Sequence, residues 1–344
     1  MARVTMPARW PWLWIGLAAV TLSGGAASLA QTPPPRLHGT FIQLSQAHGA
    51  WSEESWRRLF GYLAQLRSRE IVVQWTAYDD TAFYPSTRLS PVAQPPLETI
   101  LTLADELDMT VRVGLAHDSA FWSRINRDPA TVAVYLRDLQ ARSESVAREL
   151  VPLIRRHRSF HGWYITEEIE DATWKDERAR AALFDYLRRL TLSVRALAPG
   201  ASVAVSGFSN AETAPATFGA FWTSLLRAAS IDVFMFQDGV GAGKQRLSFL
   251  PLYLAAAHEA AQTAGRELQV IVEVFQQLND PSGFKAVPAP FDRVARQIDL
   301  AAMYSSTRGP VAFSIPDYMT PLRGVEAERL FQAYVRSRVT AKPD

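Results

Sequence analysis

Glu273 stands inside the run Val270-Ile271-Val272-Glu273-Val274-Phe275, where every near neighbour is apolar. A carboxylate in such surroundings is costly to bury unless it is paired or hydrogen-bonded. A second acidic signal follows another apolar run: Gly162-Trp163-Tyr164-Ile165-Thr166 leads into Glu167, Glu168, Ile169, Glu170 and Asp171. Two carboxyls on opposite sides of one pocket can divide acid–base work. One is kept protonated to give its proton away, while the other stays ionised to attack an electrophilic carbon or to stabilise positive charge there. Adjacent residues on an extended chain point to opposite faces, so only one of Glu167 and Glu168 can face such a pocket. If Glu168 faces inward, Tyr164 and Thr166 share its side; if Glu167 does, Trp163 and Ile165 do. Alternation by itself leaves that choice open. The plainer alternatives are a structural salt bridge from Glu273 to an arginine and a solvated face for the run Glu167–Asp171.

The elements that must hold these residues alternate between two periods. Apolar strand-like runs recur at 38–44, 70–75, 110–116, 160–166, 201–207, 231–237, 268–275 and 310–315. Helical patterns fill the gaps. The first places Trp56, Leu59, Phe60, Leu63 and Leu66 on one face, with Ser52 as N-cap and Glu53 and Glu54 in the first turn, where free amides favour negative charge. Asp128-Pro129 opens a helix reaching Ile154, a cap residue followed by proline at the first helical position. Further helices are expected at 97–107, 174–197, 217–229, 250–261, 291–302 and 326–336. Eight strands apolar on both faces, each followed by a helix, predict a closed (β/α)8 barrel occupying 38–340 as a single domain. The rival, an open doubly wound sheet, would more often carry a Gly-x-Gly-x-x-Gly turn or a phosphate loop, and the sequence has neither.

In such a barrel the site forms at the C-terminal ends of the strands. Reading those ends gives Gln43, Gln74, Trp75, Tyr78, His117, Trp163, Tyr164, Asn210, Gln237, Asp238, Phe275 and Tyr318 around Glu167, Glu168 and Glu273. The amides, His117 and Asp238 offer hydrogen bonds to hydroxyl groups, and the aromatic rings offer flat apolar faces for pyranose rings. A Glu from strand four and a Glu from strand seven sit nearly across the ring. That is the minimal set for glycoside hydrolysis, retaining if the carboxyls come within about 5–5.5 Å and inverting if they stay further apart. A non-catalytic carbohydrate-binding barrel, or a structural barrel of the bacterial envelope or exopolysaccharide machinery, is the alternative.

Other chemistries find little support. The chain has no cysteine, which excludes disulfides, thiolate nucleophiles and Cys-ligated zinc. Its six histidines are scattered, so no metal and no cofactor is expected. A hard cation on Asp79, Asp80 and Asp118 has no further support. The stretch Asp238–Lys244 contains three glycines and ends in lysine, but Gln245 follows where a phosphate loop needs Ser or Thr. It reads as a mobile loop near the substrate, or simply a flexible one. Arg3 and Arg9 carry the whole formal charge of +2, so residues 31–344 carry none and nucleic acid is not an expected partner. Those two arginines, the apolar stretch 11–20 and the ending Ser28-Leu29-Ala30 have the order of a secretory signal peptide at 1–30. The apolar run is short for a membrane span. A Pro-rich spacer at 31–37, a periplasmic or secreted location and no stable membrane insertion after cleavage complete that expectation.

The stretches Phe41-Ile42-Gln43, Val73-Gln74-Trp75-Thr76, Gly162 to Ile169 and Phe234-Met235-Phe236-Gln237-Asp238 resemble a bacterial family of barrel domains, the domain of unknown function numbered 4434. The resemblance runs from about His38 to Arg336. That family in turn is similar to the large clan of retaining glycoside hydrolases with (β/α)8 barrels. The resemblance implies an acid/base at Glu168, ending strand four, and a nucleophile at Glu273, on strand seven. The clan commonly has Asn or Asp just before the acid/base, and here that position is Glu167. An ionised Glu accepts but does not donate, so the clan's usual contact to a sugar hydroxyl is not implied, and Glu167 stays a candidate for the acid.

Overall fold

The computed structural model describes residues 33–340, apart from Ser282 and Thr307. The expected signal peptide at 1–30 lies outside them. The barrel strands are β1 (Gly39–Ile42), β2 (Glu70–Val73), β3 (Thr110–Gly114), β4 (Phe160–Glu170), β5 (Ser202–Phe208), β6 (Val233–Gln237), β7 (Glu267–Glu273) and β8 (Val311–Phe313). Each pairs in parallel with its sequence neighbour, and β8 pairs with β1 through Gly39 opposite Val311 and Thr40 opposite Ala312, which closes the ring. The long helices between and after them are α1 (Glu53–Gln65), α2 (Leu97–Glu106), α3 (Pro129–Ile154), α4 (Glu177–Leu197), α5 (Pro215–Ala229), α6 (Leu250–Ala264), α7 (Phe291–Tyr304) and α8 (Val325–Tyr334). The eight-stranded (β/α)8 barrel anticipated from periodicity is the fold.

Local chemistry sets the helix starts. The Ser52 hydroxyl accepts from the Ser55 amide at the start of α1, and Asp128 accepts from the Thr131 amide before Pro129 opens α3. Asp176 accepts from the Arg178 and Ala179 amides, so α4 begins at Glu177 and not at Trp174, which is buried just ahead of the cap. The 33–37 part of the expected spacer lies against the barrel: the Leu37 amide donates to the Tyr334 hydroxyl and Arg338 donates to the Pro35 carbonyl.

Inside the ring, side chains form layers, because every second residue of a strand points inward. The bottom layer is polar and internally hydrogen-bonded. Arg112 Nε donates to Glu70 Oε1 at 2.7 Å, Gln269 donates to the other Glu70 oxygen at 2.7 Å, and Arg112 also donates to Ser202. The middle layer is apolar: Phe41, Val72, Tyr164, Ala204, Met235, Ile271 and Val311 pack together, with Phe41 edge-on to Tyr164 at 5.4 Å. The next inward step along β1, β2, β6 and β7 reaches Gln43, Gln74, Gln237 and Glu273. The second core lies between the strands' outer faces and the helices, and holds Trp163, Trp222, Phe234 and the apolar stripes of α1 to α8.

Burial acts to raise the Glu70 carboxyl, but the Arg112 charge and the Gln269 hydrogen bond outweigh it and hold the group below its ordinary range. This stabilisation is complete above the ordinary glutamate value and is lost as pH falls through the lower folded-state value. Arg112→Met strands a buried carboxylate and should cost about 3–5 kcal/mol in urea unfolding at pH 7. Glu70→Gln/Arg112→Met should recover most of that loss. Equal instability of the single and double variants would show that the pair has no such role.

Candidate active site

The alternation of β4 decides between the two adjacent acids. Tyr164 is in the barrel interior, so Glu168, four residues on, faces the mouth. Trp163, Ile165 and Glu167 point to the helix layer. Glu167 is buried there, with Oε2 accepting from the Tyr186 hydroxyl of α4 at 2.6 Å and Oε1 from Thr166 at 3.1 Å. Burial pushes its pKa up to about 7 against those two hydrogen bonds. A shift in register between Ile165 and Ile169 relative to β5 lengthens β4 at this point, beside Glu168.

Glu168 and Glu273 line one cavity of about 520 Å³ at the C-terminal mouth. Gln43, Gln74, Gln237, Phe275 and Tyr318, all expected there from sequence, share its wall. Gln237 donates to Glu168 Oε1 at 3.0 Å and reaches Ser206 at 3.3 Å. Gln43 donates to the Gln74 oxygen at 3.0 Å, which leaves the Gln74 amide nitrogen for other partners. Tyr318 is raised to about 12 by burial and by Asp317, so it is a neutral donor at ordinary pH.

The loop after β6 completes the wall. Asp238 caps it by accepting from the Val240 amide, and Gly239 takes the left-handed φ of +65° that lets the chain turn back. At Gly241 a Cβ would lie 2.8 Å from the Glu273 Cβ and 2.4 Å from the Phe275 carbonyl, so only glycine permits this approach. The approach brings the Ala242 amide to Glu273 Oε2 at 2.7 Å. Lys244, two residues on, also lines the cavity, with its ammonium 3.3 Å from the centre of the Phe208 ring. The loop is therefore tied to the site, rather than simply flexible.

Burial raises Glu273 to about 8, and Asp238 behind it adds to the rise, while the Ala242 amide and Lys244 oppose it. Arg293 does not pair with the Glu273 carboxyl: it donates to the backbone carbonyls of Glu273 and Phe275. Among the described residues the Glu273 carboxyl makes no salt bridge to an arginine; the buried acid that does is Glu70, paired with Arg112 at the other end of the barrel.

Several expected contacts lie elsewhere. Trp163 is fully buried between strand and helix layer, against Phe160. Tyr164 is the floor beneath the site, its hydroxyl sharing a 2.6 Å hydrogen bond with Ser206. Asp238 sits behind Glu273, accepting from Gln297 at 2.5 Å, and burial raises it to about 6. Asn210 follows β5 outside the lining of this cavity. Trp75 and Tyr78 line an adjoining cavity, and His117 stacks on Trp75 at 4.8 Å. Lys244, Ala242, Gln277, Phe284 and Phe313 were missed by the sequence reading. Phe313 could have been found by stepping two residues from the interior Val311; Ala242 and Lys244 lie in the loop expected near the substrate but were not singled out, Phe284 is on a loop, and Gln277 is on a short hairpin strand beyond β7.

Removing the positive charge in Lys244→Met should move the Glu273 titration above about 8, as read by carbon-13 NMR of the glutamate carboxyls. Lys244→Arg should hold it near the wild-type value. An unchanged Glu273 in Lys244→Met would show that the ammonium does not act on it.

Among solved structures, a fucosidase-like protein from Bacteroides thetaiotaomicron superposes with a TM-score of 0.73 at 18% identity, over 88% of this chain and 95% of that one. The endo-beta-1,4-mannanase of Thermotoga petrophila superposes at 0.58 with 12% identity, over 91% and 79%. At these identities the likeness is one of fold: a closed (β/α)8 barrel. The uncharacterized protein YbcH of Escherichia coli (strain K12) is 28% identical over 281 residues, 75% of this chain and 86% of that protein. Residues 37–323, nearly the whole barrel and all of the cavity wall, match the family described as Domain of unknown function (DUF4434), and the chain belongs to that family.

Proposed function

We propose that this chain is an exported glycoside hydrolase acting on a polysaccharide or oligosaccharide, with Glu168 as proton donor and Glu273 as nucleophile. The observation that carries the reading is that these two glutamates, from β4 and β7, line one solvent-reachable cavity together with amide side chains and aromatic rings. Glu168 protonates the leaving glycosidic oxygen while Glu273 attacks the anomeric carbon to form a glycosyl ester. Glu168 then takes a proton from water, which displaces Glu273 and completes a retaining double displacement. A Glu273 carboxylate is costly in the empty cavity, so it interacts most strongly with the positive charge that develops on the sugar. Gln237 holds Glu168 toward the cavity, and the Ala242 amide orients Glu273.

Glu168→Gln and Glu273→Gln should each lower hydrolysis by about a thousandfold or more, measured as reducing ends released from a polysaccharide panel. Glycan binding that persists in both variants, with no cleavage by the wild type, would establish a non-catalytic carbohydrate-binding barrel instead. The reaction needs one carboxyl of the pair protonated and the other ionised, so kcat/KM should be bell-shaped and fall as pH rises through about 8. The roles are tested by trapping the glycosyl ester with a 2-fluoro glycoside and locating it by mass spectrometry: label on Glu273 supports the assignment, and label on Glu168 would exchange the two roles.

The export proposal rests on the order of charge, apolar core and small residues at 1–30. Protein recovered from a bacterial periplasm or medium should begin at Gln31 by N-terminal sequencing; an intact Met1 would overturn cleavage.

A further inference from the structure

We infer that the cleft is open at both ends and accepts the interior of a glycan chain, so that the hydrolase proposed above cuts internal bonds. The inference rests on that proposal and deepens it. A central cavity at the mouth of the barrel is flanked by two others, each sharing wall residues with it. The central one, about 520 Å³, takes wall residues from the ends of β1, β2, β4, β6, β7 and β8. It shares Gln43 with a second cavity of about 430 Å³ above β1 and β2. It shares Ala242 and Gln277 with a third of about 450 Å³ above β6 and β7. In the closed ring β8 stands between β7 and β1, and β3, β4 and β5 stand between β2 and β6. The two outer cavities therefore lead away from the glutamate pair in different directions, and a bound chain can extend past the reacting bond on both sides. A pocket built to remove end units would be closed on one side of the acids.

The two arms differ in chemistry. The β1–β2 arm is walled by Trp75, Tyr78 and Phe83. The Trp75 ring is held in place, with Nε1 donating to the Leu44 carbonyl at 2.8 Å and His117 stacked on it. Trp75 and Phe83 are buried beneath this cavity, and the half-buried Tyr78 is the ring left to meet the apolar face of a sugar. The β6–β7 arm is walled by Gln276, Gln277 and Asn279, which offer hydrogen bonds to hydroxyls. The antiparallel pair Phe275–Leu278 and Lys285–Pro288 carries part of this wall, and Phe284 beside it is exposed and lines the central cavity. Asp280 and Arg293 also line the β6–β7 arm, and the two arms on either side of the acids describe a groove for a polymer of several pyranose units.

The test incubates the mature chain with soluble galactomannan, arabinoxylan, mixed-linkage β-glucan and pullulan, following reducing ends, viscosity and product size from the first minutes. Mid-sized fragments and a fall in viscosity that runs ahead of reducing-end release support the open groove. Monosaccharide or disaccharide as the sole early product overturns it while leaving the hydrolase proposal standing. Cleavage of oligosaccharides alone overturns the groove, and no reducing ends from these polymers, the wider polysaccharide panel or oligosaccharides removes the hydrolase proposal, and the groove inference with it. Tyr78→Ala and Gln277→Ala, checked for unchanged thermal unfolding, should each lower kcat/KM on the cleaved polymer by about tenfold. An effect from one arm alone overturns the two-ended groove.

Discussion

A carboxyl group sealed inside a β-barrel must be given hydrogen bonds, a counter-charge or its proton, since water cannot serve it there. The two ends of this barrel answer that requirement differently. At the bottom, Glu70 has a bidentate environment of Arg112 and Gln269 and is kept ionised. At the top, Glu273 has one backbone amide, a lysine in the same cavity and an acid, Asp238, behind it, so it is left reluctant to ionise. The bottom is finished as structure. The top is left electrostatically unfinished, which is the condition under which a group is available for chemistry on something that enters from outside.

Between these ends the alternation of strand side chains distributes the residues. Gln269, Ile271 and Glu273 on one strand, and Glu70, Val72 and Gln74 on another, supply the polar floor, the apolar middle and the polar mouth in turn. The apolar layer isolates one charged network from the other, so the mouth can hold two glutamates without the floor neutralising them. The same rule separates Glu168 from Glu167. The first enters the mouth beside Gln237, and the second is retained by Tyr186 in the helix layer. Glu167 is therefore a buried group bonded to α4 rather than a second acid in the cleft.

The loop after β6 shows how a backbone feature becomes part of a site. Absence of a side chain at Gly241 allows contact with β7, and this contact delivers both the amide that meets Glu273 and the lysine that lines the same cavity. Asp238 belongs to this arrangement as a support, accepting from Val240 and Gln297 rather than facing the cavity.

Period and punctuation in the sequence were enough to determine the barrel, because a (β/α)8 fold repeats one local unit and each unit's strand, cap and amphipathic stripe is visible over a few residues. Glu273 was also legible, since a lone acid in an apolar strand needs a special reason at any position. The side of β4 that faces inward was not, because alternation gives two consistent phases and only the packing of Tyr164 against Phe41 selects one. The same packing moved Trp163 to the outer core and made Tyr164 a floor. Lys244 and Phe284 stand on loops and Gln277 on a short two-stranded hairpin beyond β7, none with a period to read, and what brings them to the glutamates is the close approach of separate segments over a closed ring. Which residues are neighbours across that mouth is a property of ring closure, and no stretch of sequence contains it.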